Sequence, residues 1–455
     1  MTSPSKLLSY GLFGLPLAMV ALPIYVFVPQ FYAQRSGLTL ATIGAALLAA
    51  RLLAALLDPL LGVWIARYIG TGANAASRTY GKFIAISLPL LLLGFGALFH
   101  PPQLATSHVL LWFLASLMLV YAGFGLAMIV HQSWGAALTQ APAERVRLAA
   151  TREACALLGV IAAAALTAMF GYDVLSLVFA LALLSAAAML LANAPRPEMA
   201  APAPLVPLPL GHSMPTPCWM PAGPSVPSRL AAPPLPAAGL MLILAPFRGA
   251  RFRALFAVLI VNGVAAAIPA TLFLFFAQDR LHLGRYAGVF LILYFAAAAA
   301  SMPLWVRLAR RFGEARAWVG GMLLSALVFV WAYMLASGAM FAFGAICLLS
   351  GLTLGADLAL PPALLAGVIA RAGHSGQREA AYFGLWNWGV QINLALAAGI
   401  ALPLLGWFAY VPGAAGAVGV NLAGTQALAA AYSLLPCALK LLAACMLWRA
   451  PLHDV

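Results

Sequence analysis

The sequence has little charge, and acidic residues are especially scarce. Only 7% of its 455 residues are charged, with 10 Asp and Glu against 24 Lys and Arg. Soluble domains carry about 25% charged residues. Hydrophobic residues make up 65% of the chain. This balance excludes a soluble globular protein and indicates that lipid faces most of the apolar surface.

Reactive and metal-binding patterns are also missing. The five cysteines have no paired spacing, and none of the seven histidines has a partner at helical spacing. We therefore predict no catalytic residue, no metal and no cofactor, and we do not expect an enzyme. A net charge of +14 would indicate a nucleic-acid partner in a soluble protein. Here the basic residues lie in short loops without an aromatic binding platform, so nucleic-acid binding is not expected.

Long apolar segments dominate what remains, and a membrane-spanning helix needs about 20 such residues. The predicted segments are 8–32, 39–65, 83–100, 108–132, 150–170, 174–193, 253–277, 286–306, 317–337, 339–363, 381–408 and 427–448. The first is too long for a signal peptide and is predicted to be a retained helix. The fold class is therefore an all-α integral membrane protein of about twelve transmembrane helices.

Basic residues predict the orientation of these helices. Most of the 24 Lys and Arg fall in alternate loops on one side, whereas the other side holds Arg35, Arg280 and Arg285. By the positive-inside rule, both termini are cytoplasmic. We expect a multi-pass protein of a cell inner membrane.

Residues 194–247 are rich in proline and interrupt the apolar pattern. They predict a flexible cytoplasmic linker between a half at 1–193 and a half at 248–455. The two halves share features at similar spacing. Pro23 and Pro269 each precede an aromatic run, and Trp64 and Trp305 each lie at the end of the second apolar segment of their half. Two six-helix pseudo-repeats of this kind are typical of the major facilitator fold, in which substrate binds between the halves at mid-membrane.

Charged residues inside apolar segments are costly and need a reason. Arg51 and Asp58 lie seven residues apart in the second segment and share one helix face. We predict that both act in coupling or gating. The alternative is that Asp58 forms an ion network with Arg51 or with Arg152, and that this network only holds helices together.

Four further residues are predicted to bind substrate: Arg152, Asp357, Trp386 and Gln391. Arg152 opens the fifth segment, where snorkelling to the surface is the alternative explanation. Prolines that free backbone carbonyls follow Asp357, as in the broken helices of transporters. Trp386 and Gln391 offer an aromatic and amide surface, although interhelical hydrogen bonding would also explain them. Lys440 has no obvious partner and is predicted to be incidental.

Several motifs resemble the glycoside–pentoside–hexuronide:cation symporter family, typified by the melibiose permease. They are Tyr10-Gly11, the segment from Arg51 through Asp58-Pro59 to Gly62, the stretch from Glu144-Arg145 to Arg152, and Tyr382 to Trp386. The resemblance covers nearly the whole chain outside 194–247. It implies the major facilitator fold, solute transport, and a sugar-contacting role for Arg152.

Three positions differ from the charged residues of cation coupling that the resemblance implies. Ala54 and Met128 stand where the family has aspartates, and Gln391 stands where it has a lysine. Asp58 alone is a poor Na⁺ site. We therefore expect coupling to a proton through Asp58, or no coupling ion.

Together these features predict a secondary transporter that moves a small organic solute, a sugar or glycoside, by alternating access without Na⁺. Its other partner is membrane lipid, and we expect a monomer. One alternative is a transporter of lysolipid or another amphipathic lipid. Another is a membrane sensor that binds its ligand without moving it.

Overall fold

The computed structural model describes residues 4–28, 31–32, 40–69, 73–102, 106–139, 141–193, 243–375, 378–408 and 422–452, and every regular element in these ranges is helical. Within these ranges, eleven helices are long and apolar enough to cross a membrane, and a shorter apolar helix, Ser5–Ala21, precedes them. The prediction of an all-α protein with about twelve transmembrane helices is confirmed. A bilayer favours this solution because helices satisfy their own backbone hydrogen bonds.

We group the helices before and after residues 194–242 as an N-terminal half and a C-terminal half, following the predicted division. The N-terminal half contains α1 (Pro4–Gly11), α2 (Gly14–Val26), α3 (Leu40–Tyr68), α4 (Ala73–Phe99), α5 (Thr106–Ala137) and α6 (Pro142–Asn193). The C-terminal half contains α7 (Ala250–Phe275), α8 (Ala287–Phe312), α9 (Glu314–Phe329), α10 (Met340–Arg371), α11 (Glu379–Trp407), α12 (Leu422–Ala429) and α13 (Leu435–Arg449). A short π-helical segment, Ala430–Leu434, joins α12 and α13 into one span.

Several predicted boundaries differ from the structure. The segments predicted at 150–170 and 174–193 follow one another without a loop in α6, and only Gly171 breaks the helix, with φ of 79°. Glycine adopts this positive φ without steric cost, so the helix is kinked at this one residue. The prediction that the tenth segment ends at 363 is also wrong, because α10 continues through Pro361 and Pro362 to Arg371.

One end of the bundle carries Arg67, Arg145, Arg310, Arg371 and Arg449, and we name it the basic face. Near this face, buried side chains of both halves form one continuous hydrophobic core. A smaller cluster also crosses between halves, where Ala150 and Leu157 of α6 pack with Met302 of α8. Near the opposite face, the C-terminal half has a separate core made of its own residues among those described. The two halves are therefore joined at the basic face.

The predicted linker, 194–247, lies outside the described residues up to 242. Its last part forms a short 3-10 turn, Ala245–Arg248, in which Pro246 is buried. The flexibility of this linker and the division of the chain at 194 and 247 remain predictions.

Candidate substrate and coupling site

The halves approach most closely where α3 crosses α11. A Cβ atom at Gly384 would lie 2.6 Å from the carbonyl oxygen of Asp58, and one at Gly62 would clash with the carbonyl oxygen of Ala380. Side chains would keep the two backbones apart, so glycine at both positions allows direct helix contact. This crossing places the predicted residues of α3 against the predicted residues of α11.

Arg51 and Gln391 meet across this crossing. The Arg51 Nε donates a hydrogen bond to Gln391 Oε1 at 3.3 Å, and the two residues belong to different halves. The sequence identified both residues separately, with no reason to pair them. An arginine inside a membrane segment needs polar acceptors, and the Gln391 amide supplies one.

Asp58 is buried, with 5% of its surface exposed, and its carboxylate faces α5. A Cβ atom at Gly125 of α5 would lie 2.6 Å from Asp58 Oδ1. Within the described part of the chain, Asp58 makes no hydrogen bond or ion pair. The alternative network of Asp58 with Arg51 or Arg152 is therefore not formed in this state. An ionised carboxylate without a partner is costly to bury, whereas the neutral acid is much less so.

Arg152 lies on α6 at a small crevice between the halves. Its guanidinium bonds to the carboxylate of the adjacent Glu153, with Nε at 3.0 Å and Nη2 at 2.5 Å from Oε1. The Arg152 side chain is only 5% exposed, which argues against snorkelling to the surface. A charged pair inside a membrane segment is costly, which makes this pair a candidate functional site.

The walls of this crevice come from both halves. Tyr10 and Gln132 face it from the N-terminal half, and Pro362 and Phe383 from the C-terminal half. The cavity is about 20 Å³ in this state, which is room for a single water molecule. The Tyr10 hydroxyl donates to the His131 carbonyl oxygen at 3.0 Å, which fixes the phenol beside Arg152. A solute could enter only after the halves separate.

Asp357 belongs to a different cluster, inside the C-terminal half. Asp357 Oδ2 pairs with Lys440 Nζ at 2.6 Å, and Oδ1 accepts from Trp318 Nε1 at 2.8 Å and from Asn262 Nδ2 at 3.1 Å. Lys440 also donates to Asn262 Oδ1 at 3.2 Å. We name these four residues the C-half network. It connects α7, α9, α10 and α13 and does not include Arg152.

The prediction that Lys440 is incidental is wrong. Lys440 is 7% exposed and is held by two acceptors. Two opposite charges within apolar segments were a signal for this pair, because a buried charge needs a counter-charge. The sequence separation of Lys440 and Asp357 left no indication that their helices were neighbours.

Two other features of the interface complete the site. Trp386 is 4% exposed and is part of the joint core of the halves, so in this state it contacts protein.

At the basic face, Arg145 Nε of α6 lies 3.9 Å from Glu314 Oε1 at the start of α9. Both side chains are almost fully buried. Sequence reasoning missed this contact between halves, because both residues looked like ordinary loop charges.

Solved structures share this architecture at low sequence identity. A bacterial homologue of the iron transporter ferroportin, in an outward-facing state, has a TM-score of 0.66 and 13% identity, covering 98% of this chain and 99% of its own. The human organic anion transporter TETRAN has a TM-score of 0.64 and 16% identity, covering 98% and 100%. The E. coli fucose:proton symporter FucP has a TM-score of 0.60 and 14% identity, covering 97% and 98%. These similarities show the fold.

The sequence itself identifies the family of the chain. No curated protein sequence is significantly similar to the chain. The profile of the family described as MFS/sugar transport protein matches residues 9–196 and 235–454. This match leaves out much of the proline-rich segment and confirms the resemblance found in the motifs. The chain belongs to the MFS/sugar transport protein family and is a multi-pass membrane secondary transporter of small solutes.

Proposed function

We propose that the chain carries a sugar or glycoside by alternating access, and that the solute binds at the Arg152–Glu153 pair. The observation that supports this most strongly is the buried Arg152 guanidinium, which lines the crevice between the halves and is paired with the Glu153 carboxylate. A sugar hydroxyl both donates and accepts hydrogen bonds. The pair offers donors and an acceptor side by side, with the Tyr10 hydroxyl and the Gln132 amide next to them. The family match favours this interpretation over the lipid carrier and the sensor.

The depth of Arg152 suits a transport site. Helix α6 begins at Pro142 on the basic face, and ten residues at 1.5 Å each place Arg152 about 15 Å along the helix. The helix runs about 43 Å from Pro142 to the break at Gly171, so Arg152 lies inside it and not at its end. A solute at this level would be reached from one face at a time as the halves rock.

The joined basic face supports an assignment of the conformational state. Because basic loops favour the cytoplasmic side, we place this face in the cytoplasm, with both termini, in a cell inner membrane. The structure then corresponds to the state that is closed to the cytoplasm. Opening to the cytoplasm requires the Arg145–Glu314 and Arg51–Gln391 contacts to separate. The transporter works as a monomer in membrane lipid, because each chain has both halves of the site.

We expect a glycoside or sugar to raise the melting temperature of the purified protein, because it binds the folded state. Arg152→Gln should abolish this shift and reduce proteoliposome uptake by at least about tenfold, since a hydrogen bond to a charged group contributes about 1.5–3 kcal/mol. Arg147→Gln is the matched control, because Arg147 lies on the same helix and does not line the crevice.

Three outcomes would contradict this proposal. A shift produced by lysolipids and by no sugar or glycoside would favour the amphipathic-lipid carrier. Binding without any uptake or exchange would favour the sensor. An equal loss in Arg147→Gln would remove the specific role of Arg152.

Transport is expected to be independent of Na⁺. A Na⁺ site needs several converging oxygen ligands. Asp58 faces Gly125, and the described residues contain no group of three or more His, Cys, Asp and Glu side chains that could hold a metal ion. Replacing Na⁺ with choline at fixed pH and membrane potential should leave the initial uptake rate unchanged. A clear loss of uptake in choline would show that Na⁺ is the coupling ion.

A further inference from the structure

A cavity of about 270 Å³ lies at the basic face, away from the Arg152 crevice. The end of α3, the turn before α7 and the start of α11 with its preceding loop enclose it. Arg67 faces it from the N-terminal half, and Arg378, His374 and Tyr382 face it from the C-terminal half. We name this cavity the basic pocket. No role in solute binding requires it.

The basic pocket brings like charges together. Arg67 and Arg378 line it from opposite halves, and none of its described lining residues is acidic. Both arginines are exposed to solvent, which screens their mutual repulsion. An anion between them would attract both and would add a contact between the halves. Arginine binds phosphate particularly well through paired N–H groups.

His374 and Tyr382 add neutral hydrogen-bonding groups to the pocket. His374 Nδ1 and the Tyr382 hydroxyl are 2.9 Å apart. The rings of Tyr382 and Phe252 are nearly perpendicular, with centroids 5.1 Å apart. Burial, and then the charge of Arg378, lower the pKa of His374. At neutral pH the ring is uncharged, so the two arginines supply the positive charge. The remaining wall is apolar, with Val63 and Ile69 among its residues.

We propose that the basic pocket binds a phosphate-bearing anion, which holds the two halves together at the basic face. The charges select an anion, and the mixture of arginine, phenol and imidazole suits phosphate oxygens. The ligand is either a soluble phosphate or the headgroup of an anionic lipid whose chain follows the apolar wall. Because Arg67 and Arg378 belong to different halves, the anion binds only while these are joined and shifts the population toward that state. This inference does not depend on which solute is carried.

The test compares three probes on purified full-length protein in detergent: inorganic phosphate, dioleoylphosphatidylglycerol and zwitterionic dioleoylphosphatidylcholine. Melting temperature is measured against probe concentration for the parent and for the double variant Arg67→Gln/Arg378→Gln. We expect phosphate or phosphatidylglycerol to stabilise the parent, with phosphatidylcholine much weaker. The half-saturating concentration should rise at least about tenfold in the double variant, which loses two charged donors.

The matched control is Arg307→Gln/Arg310→Gln, which removes two exposed charges from the same face outside the pocket. It should respond like the parent. A response to phosphate identifies a soluble ligand, and a response to phosphatidylglycerol alone identifies a lipid headgroup. No stabilisation by either probe, or the same loss in both double variants, would overturn the proposal.

Hydrogen–deuterium exchange gives a readout that does not depend on variant stability. In the parent, the bound anion should slow exchange in residues 63–69 and 378–382, on the two sides of the pocket. Slower exchange on only one side would overturn the claim that the anion joins the halves.

Discussion

Replacing Lys440 with methionine is expected to remove most of the folded protein, and replacing Asp357 with asparagine in the same chain is expected to restore much of it. Lys440 and Asp357 are paired at 2.6 Å with side chains that are only 9% and 12% exposed. Removing one partner of a buried pair typically costs about 3–5 kcal/mol because an uncompensated charge remains. Replacing both partners removes that charge, and the amide introduced by Asp357→Asn can still bond to its neighbours.

The measurement is the yield and melting temperature of the monodisperse protein in detergent for both single variants and the double variant. The control is Lys82→Met, which removes an exposed lysine from the first half of α4. This control should behave like the parent, since exposed charges contribute little to stability. If Lys440→Met alone is as stable as the parent, the C-half network does not hold α10 and α13 together.

The double variant also separates two roles for Asp357. Three donors from three helices already occupy its carboxylate. If Asp357 only stabilises the C-terminal half, the folded double variant should bind and transport solute. Loss of binding in a folded double variant would instead support the predicted contact between Asp357 and the substrate.

Asp58→Asn is expected to abolish accumulation of solute while leaving a folded carrier that still exchanges it. Asp58 is buried without an ion partner among the described residues, so the substitution strands no opposite charge. A carboxyl group in this setting can take up and release a proton as access changes from one side to the other. With one proton moved per solute, a gradient of one pH unit supports about tenfold accumulation. Asparagine carries no such proton, so uptake should stop at the equilibrium concentration.

The assay is uptake into proteoliposomes with an imposed pH gradient, together with counterflow exchange in its absence. Asp173→Asn is the control, because Asp173 is highly exposed and pairs with His100 far from the site. It should accumulate solute normally. Undiminished accumulation by Asp58→Asn, with the parent's pH dependence, would exclude Asp58 as the coupling group. Failure of Asp58→Asn to fold would show a structural role instead.

Hydropathy was sufficient to predict the fold class and most of the membrane spans. A membrane span is a local property, because about 20 consecutive residues either suit the bilayer core or do not. The spans containing Asp58 and Arg152 were therefore predictable, and so was the conclusion that each charge needs a function or a partner. Helix ends were less predictable. Helix α6 begins at Pro142, eight residues before the predicted segment, because helical hydrogen bonds continue through its basic residues beyond the hydrocarbon.

Which polar and charged side chains pair with one another was decided only by the tertiary structure. Arg51 bonds to Gln391 and Lys440 to Asp357 across long sequence separations, while Asp58 has neither arginine as its partner. Which side chains meet depends on the rotation of each helix and on how closely backbones approach, as at Gly62 and Gly384. Lipid contact constrains only whether a segment is apolar. The composition of each span was therefore determined by the sequence, whereas the partner of each buried charge was determined by packing between distant helices.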